Sequence, residues 1–298
     1  MIKALELFCG IGGFAAAAPD SIQVVQAIDI NRLCGETYQH NFDHPWSALS
    51  LESISTKTLE RYAADLWWMS LPCQPFTVRG RRRDIEDPRC RAFLHLLECL
   101  AIVRPRHLAM ENVPPFQDSR AATLLRDTLS ANGYRWTESV VCPTQLGIAN
   151  RRKRFYLIAS QDPLLAVDVP TEYRGPWRRG IVDILEPSAA DDDSLRVPDQ
   201  ILHDYRFASN IVSLADPASV TSCFTSAYGR SHIRSGSYLR DAKGERYFTP
   251  REIIRWLGFP DSFRFPPTIS RSQCWSLAGN SLSIDVVRFL LLSVTPMD

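Results

Sequence analysis

The sequence predicts an α/β domain built on a parallel sheet, with a smaller and less regular region set into it. Three observations carry this reading. Through the first half, short apolar runs alternate with amphipathic stretches, the pattern of βαβ units. Glycines and acids punctuate the carboxyl ends of those runs, the edge where open α/β sheets bind ligands. After residue 159 the periodicity lapses into a stretch rich in prolines and acids. A chain of 298 residues with 45% hydrophobic and 22% charged side chains is long and apolar enough for a sizeable core with a small second domain.

Strands are expected at about 4–8, 24–29, 66–70, 107–111, 139–143 and 155–159, each a short run of apolar residues. Between the third and fourth, residues 89–103 repeat apolar positions at helical spacing. Phe93, Leu94, Leu97 and Leu100 form one stripe, extended by Cys90 and Ala101, so Cys90 reads as core. Residues 161–200, including "DILEPSAADDDSLRVPDQ", show loops and short elements only. Regular structure returns at "TPREIIRWLGF". Thr249 suits an N-cap, Pro250 the first helical position, Glu252 the capping-box partner and Gly258 the stop. Residues 283–292 read as a buried helix.

The formal net charge is +1, so no global field marks a polyanionic partner. The charge is uneven, however. Arg79, Arg81, Arg82 and Arg83 cluster, as do Arg151, Arg152, Lys153 and Arg154; such runs are as often solvated faces as sites. Eight cysteines without close CxxC pairs resemble neither a disulfide framework nor a zinc site, and no metal is expected. Free thiols point to a reducing, cytoplasmic compartment. No leader segment is visible, and the apolar runs near 96–102 and 286–294 are too short to span a bilayer.

Three strand ends carry chemistry. "LELFCGIGGF" places Gly10, Gly12 and Gly13 after an apolar run, and Asp29 ends the next run about twenty residues later. Glycines there allow close approach to the backbone, and an acid there typically bonds ribose hydroxyls, so a nucleoside-containing cofactor is implied. The spacing is not that of a pyrophosphate loop. "MSLPCQPFTVRG" then puts Cys73 just past a strand, with arginines nearby that favour a thiolate. "AMENV" closes the following strand with Glu111 and Asn112. A carboxyl group at the end of an apolar strand holds its proton more tightly, which suits a general acid. Cys9 and Cys142 read as core. A nucleophile, an acid and a nucleoside cofactor on one edge still admit several reactions.

The ordered motifs resemble those of the cytosine-5 methyltransferases, which use S-adenosylmethionine. "ELFCGIGGF", "PCQPF", "ENV", "QLGIANRRKRFYLIA", "TPREIIRWLGFPDSF" and "AGNSLS" follow the family's order along nearly the whole chain outside about 161–215. The resemblance implies a Rossmann-like S-adenosylmethionine-dependent methyltransferase fold with a small mixed target-recognition domain. It assigns 1–160 plus 270–298 to catalysis and cofactor binding, and 161–269 to recognition. Phe8, Gly10, Gly12, Asp29, Ile30, Glu52, Ser53, Pro72, Asn280 and Ser281 fall at cofactor positions. The implied mechanism adds the Cys73 thiolate to cytosine C6 while Glu111 supplies a proton at N3. Asn112, Arg152 and Arg154 orient the base and neighbouring phosphates. C5 then takes the methyl group, S-adenosylhomocysteine is left, and loss of the C5 proton expels the cysteine.

"SCFTSAYGRSHIRSGSYL" contains Cys223-Phe224-Thr225 and then Tyr228-Gly229. These resemble the signature of the branch that methylates tRNA in the anticodon loop, at cytosine thirty-eight of aspartate or glutamate tRNA. "PRCRAFLHLL" fits the same branch, while Leu71 stands where the branch usually has a second proline. Gln74, Arg79, Arg81, Arg82, Cys223, Phe224, Thr225 and Tyr228 are the expected substrate contacts, phosphate contacts among them being salt-sensitive. The expected partner is tRNA, bound by a monomer. Two other readings stand beside it: a DNA cytosine-5 methyltransferase acting on duplex DNA, as in restriction-modification, and a catalytically silent nucleic-acid-binding module.

Overall fold

The computed structural model describes residues 1–77, 83–164 and 168–294. The chain divides into two compact units: residues 1–141 with 153–168 and 287–298, and residues 142–152 with 169–286.

The first unit is built on seven strands: β1 (Ile2–Leu7), β2 (Ile22–Ile28), β3 (Trp46–Ser47), β4 (Leu66–Ser70), β5 (His107–Asn112), β6 (Arg135–Val141) and β7 (Arg154–Ser160). Their order in the sheet is β3-β2-β1-β4-β5-β7-β6. The chain lays β2 and β3 on one side of β1 and β4 and β5 on the other, so the strand order reverses at β1/β4. That is the switch point at which such sheets bind ligands. Strands β1 to β5 pair in parallel, as the sequence indicates. The last pairings differ: β7 runs antiparallel to both β5 and β6. No helix follows β6 to carry the chain back across the sheet, and without a crossover the next strand must return antiparallel. The sheet is mixed rather than parallel throughout.

Alternation along the strands sorts the two faces. Leu5, Leu7, Trp67, Met69, Leu108, Met110, Phe155 and Leu157 share one core with residues of α3 (Thr56–Arg61), α4 (Arg91–Val103) and α5 (Arg120–Ala131). Of the expected stripe Cys90, Phe93, Leu97 and Leu100 are buried, Leu94 is half-buried and Ala101 is exposed. On the other face Trp68 stacks on Phe14 of the short helix α1 (Gly13–Ala17), with centroids 5.0 Å apart. Helix α2 (Arg32–Asn41) follows β2.

The second unit holds α6 (Asp199–Asp204), a three-stranded sheet of β8 (Asn210–Ser213), β9 (Ser237–Asp241) and β10 (Gly244–Tyr247), and helices α7 (Pro250–Leu257) and α8 (Arg271–Gly279). Thr249 and Glu252 form the expected capping box, and Gly258 ends α7 with φ 91°. Glu252 is fully buried and takes both terminal nitrogens of Arg246 at 2.7–2.8 Å. The division between units falls within the last helix, α9 (Ile284–Leu291). No described helix is long and apolar enough to cross a membrane.

Candidate active site

Strand register aligns the chemistry in the first unit. Leu7 pairs with Ile28 on one side and Met69 on the other, and Met69 pairs with Met110. One residue further along each strand are Phe8, Asp29, Ser70 and Glu111. Adjacent strands lie about 4.8 Å apart, so these four positions form a row about 14 Å long at the carboxyl edge.

The loop after β1 is held in an unusual conformation. Phe8, Gly10 and Gly12 all have positive φ, 56°, 54° and 87°. The cost is small for glycine but roughly 1–2 kcal/mol for phenylalanine. A Cβ on Gly12 would lie 2.3 Å from the Phe42 ring, whereas one on Gly10 would meet nothing within 4 Å. The loop is therefore packed from behind and open at Gly10. Asp29 fixes it: Gly10 N donates to Oδ2 at 2.9 Å and Asn31 N to Oδ1 at 2.8 Å. Burial holds the Asp29 carboxyl above its usual range against these hydrogen bonds. Beside it Ile30 is 71% exposed, an apolar side chain offered to a flat apolar ligand. Glu52 and Ser53 are exposed, in a turn pinned by buried Leu51 and Ile54.

Glu6 is a site residue that the sequence reading passed over. Gly12 has no side chain with which to cap α1, and Glu6 does so from β1, accepting from Phe14 N at 3.1 Å and Tyr38 OH at 3.1 Å. It is 1% exposed, and burial pushes its carboxyl up to about 8. An acid on the inward face of a strand, eight residues before a helix start, was the available signal.

Past β4, Pro72 and Cys73 are half-buried and Gln74 exposed. Phe76 N and Thr77 N both donate to the Cys73 carbonyl, at 2.9 and 3.1 Å, closing a tight turn. Phe76 anchors it edge-on against Phe116, centroids 4.9 Å apart. Of the eight thiols, six are buried, Cys9, Cys90 and Cys142 among them; only Cys73 and Cys223 are not. Arg79, Arg81 and Arg82 lie outside the described residues. Arg89, which the sequence reading did not single out, interacts electrostatically with Cys73 and is gripped by Asp87 through bonds of 2.8 and 2.6 Å.

Glu111 is 8% exposed, and its Oε1 lies 3.1 Å from Arg154 Nε. This guanidinium works against the burial penalty on the carboxylate, a partner that reasoning from burial alone did not include. Register explains it: Asn112 pairs with Phe155, so Arg154 enters the row just beyond Glu111. Asn112 is 1% exposed; its Oδ1 accepts from Val113 N at 2.8 Å, while Nδ2 is buried with no partner among the described residues. A buried, unused donor beside a carboxylate fits a ligand acceptor.

In the second unit Arg152 is held by backbone carbonyls. It is 2% exposed and donates to the carbonyls of Phe224 at 3.0 Å, Gly279 at 3.1 Å and Ser281, with Cys223 Sγ 3.6 Å away. Its two terminal nitrogens bond the protein's own backbone, tying the Cys223-Phe224-Thr225 segment to residues 279–281. Gly279 permits the approach, since a Cβ there would lie 2.2 Å from the Thr225 carbonyl carbon. Asn280 is exposed and Ser281 buried.

The expected substrate contacts Phe224 and Tyr228 lie in the interior of this unit. They are 2% and 1% exposed and pack edge-on, 5.1 Å apart. Tyr228 OH donates to Ser237 O at 2.6 Å and accepts from Phe248 N at 2.9 Å. An aromatic motif with a hydrophobic body and one hydroxyl builds a core as readily as a binding face, and sequence could not separate the two. Cys223 and Thr225 are half-buried.

Comparison with known proteins agrees with this geometry. Residues 2–295 match the C-5 cytosine-specific DNA methylase family. The tRNA (cytosine(38)-C(5))-methyltransferases of Schizosaccharomyces pombe and Spodoptera frugiperda are 33% and 30% identical to the chain, covering 97% of it and 96% and 98% of themselves. A DNA (cytosine-5)-methyltransferase of Dictyostelium discoideum is 30% identical, covering 97% of the chain and 93% of itself. The solved structure of the Entamoeba histolytica methyltransferase EhMeth superposes with a TM-score of 0.88 at 27% identity, over 99% and 98% of the two chains. With its motifs in order and the fold around them, the chain belongs to the C-5 cytosine methylase family of S-adenosylmethionine-dependent methyltransferases.

Proposed function

We propose that this protein methylates C5 of an unpaired cytosine in tRNA, cytosine 38 of the anticodon loop of aspartate or glutamate tRNA, through a covalent bond from Cys73 to C6. The observation that supports the chemistry is the strand register, which pairs Ser70, three residues before Cys73, with Glu111, itself next to Asn112 and ion-paired with Arg154. The Cys73 thiolate adds to C6 and Glu111 places a proton at N3, which leaves C5 electron-rich. Arg154 holds Glu111 in place, and Asn112 Nδ2 offers a donor to the base. Loss of the C5 proton to solvent then expels the Cys73 thiolate, the N3 proton returns to Glu111, and the ring is restored.

The residues present fit S-adenosylmethionine. Gly10 leaves open space at the loop, Ile30 offers an exposed apolar face, and Asp29 presents a carboxylate between them. Phe8, Gly12, Glu52, Ser53 and Pro72 complete this set in the first unit. When bound, the cofactor supplies the electrophilic methyl group and leaves as S-adenosylhomocysteine.

The choice of tRNA is supported by the Cys223-Phe224-Thr225 segment and by the names of the two relatives above. A loop base is already unstacked, which spares the cost of flipping it from a duplex. Residues 1–160 with 270–298 serve catalysis in this reading and 161–269 recognition, in a cytoplasmic monomer. A second reading, duplex DNA as substrate, draws on the family's description and the Dictyostelium relative. Radiolabelled S-adenosylmethionine offered with total tRNA and with unmethylated duplex DNA separates the two. Label on tRNA that vanishes with Cys73→Ala supports the proposal; label on DNA alone replaces it with the second reading.

A further inference from the structure

Phe224 and Tyr228 of the expected recognition motif are buried, so its aromatic rings are not a surface for the substrate. Thr225 N donates to Ser235 O at 2.8 Å, closing a loop whose base is the buried Phe224–Tyr228 pair. Gly229 lies flat against Trp275, where a Cβ would be 2.4 Å from the indole ring. From this fixed base residues 230–234 project: Arg230, Ile233 and Arg234 are exposed and His232 is half-buried. Arg234 is held at φ 49°, a left-handed conformation costly for a side chain of its kind.

A second segment meets this loop. The ring of Tyr205, just after α6, lies 5.1 Å from that of His232. Next to it Phe207 is 92% exposed, the most exposed of the large hydrophobic residues described. Arg206 spreads its guanidinium over the Phe207 ring, 4.6 Å from the centroid. Most other arginines of this unit, such as Arg179, Arg196 and Arg246, are paired with acids. Arg206, Arg230 and Arg234 have no ion pair among the described residues. One patch thus combines unneutralised cations with a bare aromatic face already layered against a planar cation.

We propose that Arg206, Phe207, Arg230, His232 and Arg234 form a contact site for unpaired nucleotides of the RNA substrate, one base stacking on Phe207 and the arginines holding phosphates. The charge complementarity selects a polyanion, and the exposed ring selects one with free base faces, which a duplex does not present. The proposal rests on the tRNA reading above and adds residues to it. The Cys223–Tyr228 motif acts as the scaffold that fixes the loop, and the patch makes the contact.

The test measures tRNA binding by the full-length protein over a series of salt concentrations, and methyl transfer at varied tRNA. Phe207→Ala is expected to weaken binding by roughly tenfold, within the range for loss of one stacked base, and Phe207→Trp to restore it. Arg206→Gln with Arg234→Gln is expected to lower the salt dependence by about one to two phosphate contacts. In both cases the loss falls on KM for tRNA, with the thermal midpoint unchanged because these side chains are exposed. If wild-type protein binds and methylates tRNA while every variant binds within twofold of it, the patch serves another partner, such as a protein, and this proposal is overturned with the tRNA reading intact. If wild-type protein labels only duplex DNA, the tRNA reading fails and the patch proposal with it.

Discussion

Glu6, which caps α1 behind the loop after β1, makes the stability of the folded chain depend on pH in a direction opposite to that of most carboxylates. Its carboxyl is raised to about 8 from an ordinary 4.5, chiefly by complete burial. Between those values the folded chain keeps a proton that the unfolded chain releases, so stability falls as pH rises through the window. With 4.5 and 8 as the two limits, the penalty is about 0.8 kcal/mol at pH 5 and about 3.3 kcal/mol at pH 7, levelling off above pH 8. Glu6→Gln retains an acceptor for Phe14 N but cannot titrate, so comparing the two proteins cancels every other ionisable group. Urea unfolding at pH 5, 6, 7 and 8 should show the variant gaining about 2.5 kcal/mol on wild type between pH 5 and pH 7. Parallel curves would refute the reasoning and mean that Glu6 is charged in the folded protein.

Three further outcomes follow from the site geometry. Glu111→Gln keeps the side-chain shape but removes the proton donor, and should reduce methyl transfer by roughly 10²–10⁴-fold while S-adenosylmethionine binding, measured by calorimetry, persists. Arg152→Met leaves the carbonyls of Phe224, Gly279 and Ser281 without their donor, which should cost about 3–5 kcal/mol in urea unfolding. Unchanged stability together with a loss of tRNA binding would show instead that Arg152 serves the substrate. Gly279→Ala drives a Cβ into the Thr225 backbone and should destabilise by about 1–3 kcal/mol; unchanged stability would show that the segment can move aside.

Much of the fold was legible because the strands announce themselves by alternation and by their bounding glycines and acids. The Thr249–Gly258 helix was legible down to its cap, since capping is local chemistry. The antiparallel return of β7 was not: an apolar run has no direction in sequence, and only the missing crossover reveals it. Among site residues, Cys73, Asp29 and Glu111 stand at strand ends, where position implies accessibility. Arg152 and Arg154 look alike in sequence, two residues apart, yet one meets Glu111 and the other is enclosed by backbone carbonyls. The burial of Tyr228 was not legible for the same reason, because it depends on partners up to 47 positions away, Trp275 among them. Phe207 carried no signal at all, since a single phenylalanine in an irregular stretch reads as core.

The central claim is that Cys73 forms a covalent bond to cytosine. The most direct measurement incubates the protein with S-adenosylmethionine and tRNA carrying 5-fluorocytosine, whose C5 cannot lose a proton, and looks for a denaturant-resistant adduct. Wild-type protein and Cys223→Ala should both give the adduct, and Cys73→Ala none. An adduct that survives Cys73→Ala, or that disappears with Cys223→Ala alone, would contradict the account and place the nucleophile elsewhere.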